Sequence, residues 1–290
     1  MASKVEKDEI TGVETTGHEW DGIKELNNPL PKWWVLVFYA SIAFSVLWWV
    51  LYPSWPTLTG HWKGVLGSNQ RLALEEQLTK ARAAQAAWLE KIATLDTAAV
   101  AADPELLSFA MRGGEVAFKD NCAACHGLGG AGQFNYPTLA DDDWLWGGTL
   151  ADIEQTVRHG IRFFDDPETR DSQMPAFGAD GILDRAQIDD VVQYVLSLSG
   201  RAEDAAAAER GKEVFLDNCA ACHGEDGKGS DEVGAPNLTD GIWLYGDRPE
   251  DIRAQVTKPR HGVMPAWQGR LEDEVIKMVT IYVHNLGGGE

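Results

Sequence analysis

The sequence predicts an all-α chain in which one N-terminal transmembrane helix precedes two tandem small helical domains. Three observations carry this expectation. Residues 33–52 read WWVLVFYASIAFSVLWWVLY, an apolar run without a charge. The stretch from about 103 to 290 repeats itself. Each repeat closes on apolar residues at three- and four-residue steps, the spacing of an amphipathic helix. These are Ile188, Val191, Val192, Val195 and Leu196 in the first copy, and Val275, Val279, Tyr282, Val283 and Leu286 in the second.

Residues 1–32 are polar, with seven acids against four bases, and end in Asn27-Asn28-Pro29-Leu30-Pro31. The prolines forbid helix continuation and mark a boundary. The apolar run that follows, 33–52, covers about 30 Å as a helix, the thickness of a bilayer core. Trp33-Trp34 and Trp48-Trp49 lie near its ends, where indole rings favour the headgroup level. A cleaved signal peptide would carry a shorter apolar region, a basic leader and a small-residue cleavage site; this segment has none of the three. The run is an uncleaved anchor. Lys24 and Lys32 before it are balanced by His61, Lys63 and Arg71 after it, so charge asymmetry does not orient it.

Residues 53–67 (PSWPTLTGHWKGVLG) are rich in Gly, Pro and Trp and suit the membrane surface. Ser68 is the expected N-cap for a helix over about 69–95, whose Leu74, Leu78, Ala81, Trp88, Ile92 and Leu95 form one apolar stripe. Packing on the chain's own domains and docking on a partner subunit both fit, with docking slightly preferred. Residues 53–102 are thus a linker, followed by domains at 103–200 and 201–290. Between those two lies an alanine-rich joint too short for a floppy tether.

The repeats align as GGEVAFKDNCAACHG (113–127) with RGKEVFLDNCAACHG (210–224), and as QMPAFG (173–178) with VMPAWQG (263–269). Both contain C-x-x-C-H, the attachment signature of a c-type haem. Two thiols one helical turn apart reach the two vinyl groups of a porphyrin, and the adjacent histidine supplies an axial nitrogen to iron. Cys122, Cys125 and His126 serve one haem; Cys219, Cys222 and His223 serve the other. A zinc site would need its second cysteine pair about 12–20 residues away, whereas these lie 97 apart. A thioredoxin-like pair would sit in a βαβ pattern, which is not visible. The four cysteines of the chain are all used. Because bacteria attach c-type haem outside the cytoplasm, the haem domains are expected on the periplasmic side of the inner membrane and the N-terminus in the cytoplasm.

The repeated pattern resembles the cytochrome c fold over all of 103–290. In that family a small residue and an aromatic on the first helix cross an aromatic on the last. The resemblance pairs Gly114 and Phe118 with Tyr194, and Gly211 and Phe215 with Tyr282. Electron-transfer cytochromes c usually place methionine at the sixth iron position, which raises the potential. Met1, Met111 and Met278 lie at the chain start or within helices, while Met174 and Met264 lie in loops, each before Pro-Ala-aromatic. A loop Met-Pro is the family's ligand position, so Met174 and Met264 are the expected axial ligands. Spacing does not say which methionine serves which haem, and ligation within its own domain is the default. His159 and His261, each in Arg-His-Gly, are the competitors, as ligands or as propionate partners.

Net charge is −20, with −18 on residues 101–290. This argues against a nucleic-acid partner and favours a basic protein, since complementary fields speed encounter; plain solubility explains it equally well. The Asp141-Asp142-Asp143 and Asp165-Asp166 clusters make the first domain the candidate docking face. The leader GHEWDGIKELNNPLPKWW (17–34), the anchor, the linker helix and the two haem domains together resemble the membrane-anchored dihaem subunits of cbb3-type cytochrome c oxidases, the CcoP/FixP family. The resemblance implies electron transfer from a soluble or anchored donor cytochrome c, through two haems, to a monohaem subunit. Thence electrons pass to the haem–copper subunit of a proton-pumping, oxygen-reducing complex. On its own the chain would not be an enzyme. The alternatives are the dihaem cytochrome subunit of a periplasmic dehydrogenase, or a dihaem peroxidase, which would need one iron with an open position.

Overall fold

A computed structural model describes residues 4–290, so Met1 lies outside the described residues. The chain divides into two compact units, Met1–Ala83 and Ala84–Glu290.

The first unit opens with an antiparallel hairpin of β1 (Thr15–Trp20) and β2 (Ile23–Leu26), where the sequence suggests only a polar leader. Its turn, Asp21-Gly22, has positive φ at both residues (51° and 85°), the requirement of a tight two-residue hairpin turn that Asp-Gly satisfies. Helix α1 (Lys32–Leu51) starts directly after Pro31 and has no buried residue. A helix that is apolar all round must be buried in protein or in lipid. With Lys32 its only charge and none of its residues buried, α1 is the membrane anchor, one residue earlier than expected. A two-residue pair, β3 (Pro56–Thr57) with β4 (Gly60–His61), follows.

Helix α2 (Gln70–Thr94) begins in the first unit and ends in the second. Asn69, not Ser68, caps it, its Oδ1 accepting from the N–H groups of Arg71 and Leu72. Of the expected stripe only Ile92 is fully buried. Trp88 stacks on Phe109 with ring centroids 5.8 Å apart, whereas Leu74 and Leu78 remain exposed. The C-terminal end of α2 therefore packs on its own chain, pinned by Lys277, whose buried ammonium donates to the carbonyls of Ala93 and Leu95 at 2.8 Å.

The second unit continues with α3 (Thr97–Ala102), α4 (Pro104–Asn121), α5 (Ala123–His126), α6 (Leu150–His159), α7 (Arg185–Leu198), α8 (Ala205–Asn218), α9 (Ala220–His223), α10 (Pro249–Thr257) and α11 (Asp273–His284). Side-chain caps set the starts: Asp103 for α4, Thr149 for α6, Asp204 for α8, and Asp184 with Gln187 as a capping box for α7.

The packing crosses the repeats. Helix α4 packs on α11 and α7 packs on α8. One core gathers Phe118, Ile153, Val157, Ile276, Val279 and Val283; the other gathers Ile188, Val191, Val195, Phe215, Ile252 and Val256. The aromatic pairs are Phe118 with Tyr282 (5.4 Å between centroids) and Phe215 with Tyr194 (5.0 Å). The expected pairing of Phe118 with Tyr194 and Phe215 with Tyr282 is therefore wrong. The reason is the joint: only residues 199–204 separate α7 from α8, and a connection so short folds two helices back on each other. That contact consumes the apolar face of α7 and leaves α4 to α11. By packing, an inner unit runs over 171–263, and an outer one combines 103–170 with 264–290.

Candidate haem sites

In both copies the first helix of the repeat ends in asparagine, whose side chain donates back to a carbonyl one turn earlier: Asn121 to Ala117 and Asn218 to Val214, both at 2.9 Å. The next turn, α5 or α9, carries the second cysteine and the histidine, with the first cysteine, Cys122 or Cys219, standing at its N-cap. His126 Nδ1 lies 3.1 Å from the Pro137 carbonyl, and His223 Nδ1 lies 3.1 Å from the Pro236 carbonyl. A carbonyl can only accept, so each Nδ1 carries the proton and each Nε2 keeps its lone pair for a metal. Burial lowers the pKa of both histidines, which favours the neutral imidazole that iron binds. Burial also pushes the Cys122 and Cys219 thiols up to about 11, while Cys125 and Cys222 are exposed.

A cleft in the inner unit is lined by Cys219, Cys222, His223 and Met174, with Phe177, Val195 and Trp243 among its apolar walls. In the outer unit, Cys122 and Met264 pack against one buried cluster, together with Trp144 and Trp267. Each methionine thus faces the cysteine–histidine motif of the other repeat, contrary to the own-domain default. The donor set of two thiols, a neutral imidazole, a thioether and an apolar cleft fits a c-type haem.

The competing histidines differ. His159 is buried, with Nδ1 3.1 Å from Asp166 and Nε2 3.3 Å from Glu168; both ring nitrogens are engaged away from the cysteines. His261 is exposed on the rim of the inner cleft, and burial of its ring, followed by the nearby Arg162 charge, lowers its pKa. The role of the proline carbonyls is not evident from the sequence. Their signal is a proline 11 residues after His126 and 13 after His223.

Three family profiles match the chain. That described as the N-terminal domain of cytochrome oxidase-cbb3, FixP, covers residues 12–59; Cytochrome c covers 110–199; Cytochrome C oxidase, cbb3-type, subunit III, covers 206–283. The cbb3-type cytochrome c oxidase subunit CcoP of Azospirillum brasilense is 54% identical over 100% of both chains. The chain belongs to the CcoP/FixP family of cbb3-type cytochrome c oxidase subunits. The FixP subunit of Sinorhizobium medicae is 53% identical over 98% of this chain and 97% of its own. The CcoP subunit of Cereibacter sphaeroides is 49% identical over 100% of both chains. Membership in CcoP/FixP makes the chain an electron-transport subunit of an oxidase, with haem c as the cofactor of its cytochrome c domains and other oxidase subunits as partners.

In this CcoP/FixP chain, carboxylates meet where the inner and outer units join. Partial burial, followed by the charges of Asp240, Asp141, Asp142 and Asp231, pushes Asp143 up to about 6. Its pKa is raised on folding, so its contribution to stability is complete below the unfolded value and is lost as pH rises through about 6. Asp143→Asn should therefore flatten the fall in melting temperature between about pH 4 and pH 7. The variant should also melt above the parent at neutral pH. Parallel pH dependences in the two proteins would contradict this.

Proposed function

We propose that this chain carries two covalent haems c, anchored by α1 with its N-terminus in the cytoplasm and both haems in the periplasm. Cys122 and Cys125 attach the first haem and Cys219 and Cys222 the second, with His126 and His223 as axial ligands. The sixth positions are filled crosswise, by Met264 for the first haem and Met174 for the second. Haem supplies a one-electron iron couple; the protein sets its potential through the ligand pair, burial and the hydrogen bond to each histidine. The observation that carries this reading is the paired constellation: two cysteine–histidine turns, each backed by a proline carbonyl and each facing a loop methionine.

With both sixth positions held by thioether, neither iron offers a site to oxygen or peroxide. The reading is accordingly a relay from a donor cytochrome c to the monohaem subunit and on to the haem–copper subunit, with no catalysis by this chain alone. The dehydrogenase-subunit and peroxidase alternatives gain nothing from the geometry. An acidic surface suits a basic donor, but charge does not single out the first repeat as the docking face. By packing, the outer unit has 16 acids and 7 bases and the inner unit 18 and 9, so neither is the more acidic.

The test is haem staining of the chain on a denaturing gel, with copurification from solubilised membranes. Cys122→Ala/Cys125→Ala should leave about half the stain, and the parent chain should copurify with subunits carrying haem b and copper. An undiminished stain would remove the first attachment site, and a chain purified without such subunits would remove the oxidase relay.

A further inference from the structure

Three loops meet where the inner and outer units exchange segments. Ile161 and Met264 trade both backbone hydrogen bonds at 3.0 Å, the Arg162 N–H donates to the Arg170 carbonyl at 2.8 Å, and the Arg170 N–H donates to the Gly160 carbonyl at 3.2 Å. Arg162 itself sits at φ 52°, a left-handed conformation that costs a residue with a Cβ and persists where the surroundings impose it. Its side chain is half-buried, and burial pulls its pKa below the ordinary value. The guanidinium therefore needs partners in place of water.

The partners are two carbonyls from the two methionine loops. Arg162 Nε donates to the Gly262 carbonyl at 2.7 Å, and Nη1 donates to the Ser172 carbonyl at 2.9 Å. Gly262 stands two residues before Met264, and Ser172 two residues before Met174. One planar fork thus grips the same position in both loops. Arg162 also lines the cleft that holds Met174, Cys219, Cys222 and His223. The residue comes from the outer unit, so it ties the ligand loop of each site to the other.

We propose that Arg162 is a positioning residue shared by the two iron sites, its guanidinium setting the approach of both methionine loops so that both ligations depend on one side chain. The proposal rests on the crosswise haem reading above. Lysine would keep the charge, but a single ammonium lacks the rigid fork that spans two carbonyls; glutamine would remove the charge as well.

The test uses the full chain in its oxidase, as Arg162→Lys and Arg162→Gln. Each is also made in the two single-haem backgrounds, with Cys122 and Cys125 or Cys219 and Cys222 replaced by alanine. The readouts are haem content, the weak red absorption band of a thioether-ligated ferric haem, and titration with imidazole, which competes with methionine for iron. Haem content should stay at the parent level while imidazole displaces methionine at about fivefold lower concentration at both haems, the worth of about one hydrogen bond per loop. A change at only one haem, or at neither, in the Lys variant overturns the shared role even where the Gln variant fails to assemble. Failure of the underlying reading is separate: the parent chain would then lack the red band, or one of its haems.

Discussion

Met264→His is expected to lower the potential of the haem attached through Cys122 and Cys125, and Met174→His that of the haem attached through Cys219 and Cys222. Imidazole favours the ferric state relative to thioether, so each low-spin iron should remain six-coordinate while its potential falls by more than about 60 mV, a tenfold change in a one-electron equilibrium. The crossing makes the assignment decisive. Met264 packs in the cluster that contains Cys122, and Met174 lines the cleft that contains Cys219, Cys222 and His223. In a Cys219→Ala/Cys222→Ala background only the first haem is attached. There Met264→His should abolish the red thioether band, and Met174→His should leave it. The opposite result would mean that each methionine serves its own repeat.

Gly211→Ala should strongly destabilise the second unit, with Gly114→Ala close behind. A Cβ on Gly211 would stand 2.0 Å from the Asp190 carbonyl oxygen, and one on Gly114 would stand 2.2 Å from the Met278 carbonyl oxygen. Both obstacles are backbone of the partner helix, which cannot swing aside as a side chain could. The helix pair must separate, at a cost of about 3 kcal/mol, or roughly 6–12 °C in melting temperature for a unit of this size. Gly241 has nothing within 4 Å of an added methyl and no positive φ, so Gly241→Ala is the matched control and should melt with the parent. Equal melting of the Gly211→Ala and Gly241→Ala proteins would contradict the close crossing of α7 and α8.

The elements of the haem half are readable because each carries its own chemical reason. The cysteine pairs, the histidines beside them, the small residue and aromatic on α4 and α8, and the stripes of α7 and α11 all stand where local pattern places them. Partner choice is not readable from the same pattern. Valine dominates the stripes of both α7 and α11, so either could cover either first helix; a stripe states which face is buried and not against what. The information lies in chain length, in the six residues that join α7 to α8. The hairpin at Thr15–Leu26 escapes a sequence reading although Asp21-Gly22 marks its turn, because strands this short give little alternation to read. The burial of His159 against Asp166 and Glu168 is beyond the sequence, since an Arg-His-Gly string looks alike whether its imidazole is paired with acids or, as at His261, left on a cleft rim.

The exchange of segments also sets a timetable for the growing chain. Synthesis runs from the N-terminus at roughly 5–20 residues per second. Met174 is made 49 residues before His223, so the inner unit has its sulfur in hand when its imidazole arrives. His126 is made 138 residues before Met264, a delay of roughly 7–28 s at that rate. The outer unit, which begins first, is finished last. Throughout that interval α4 lacks α11, and Phe118 has Ile153 and Val157 beside it but not yet Val279, Tyr282 or Val283.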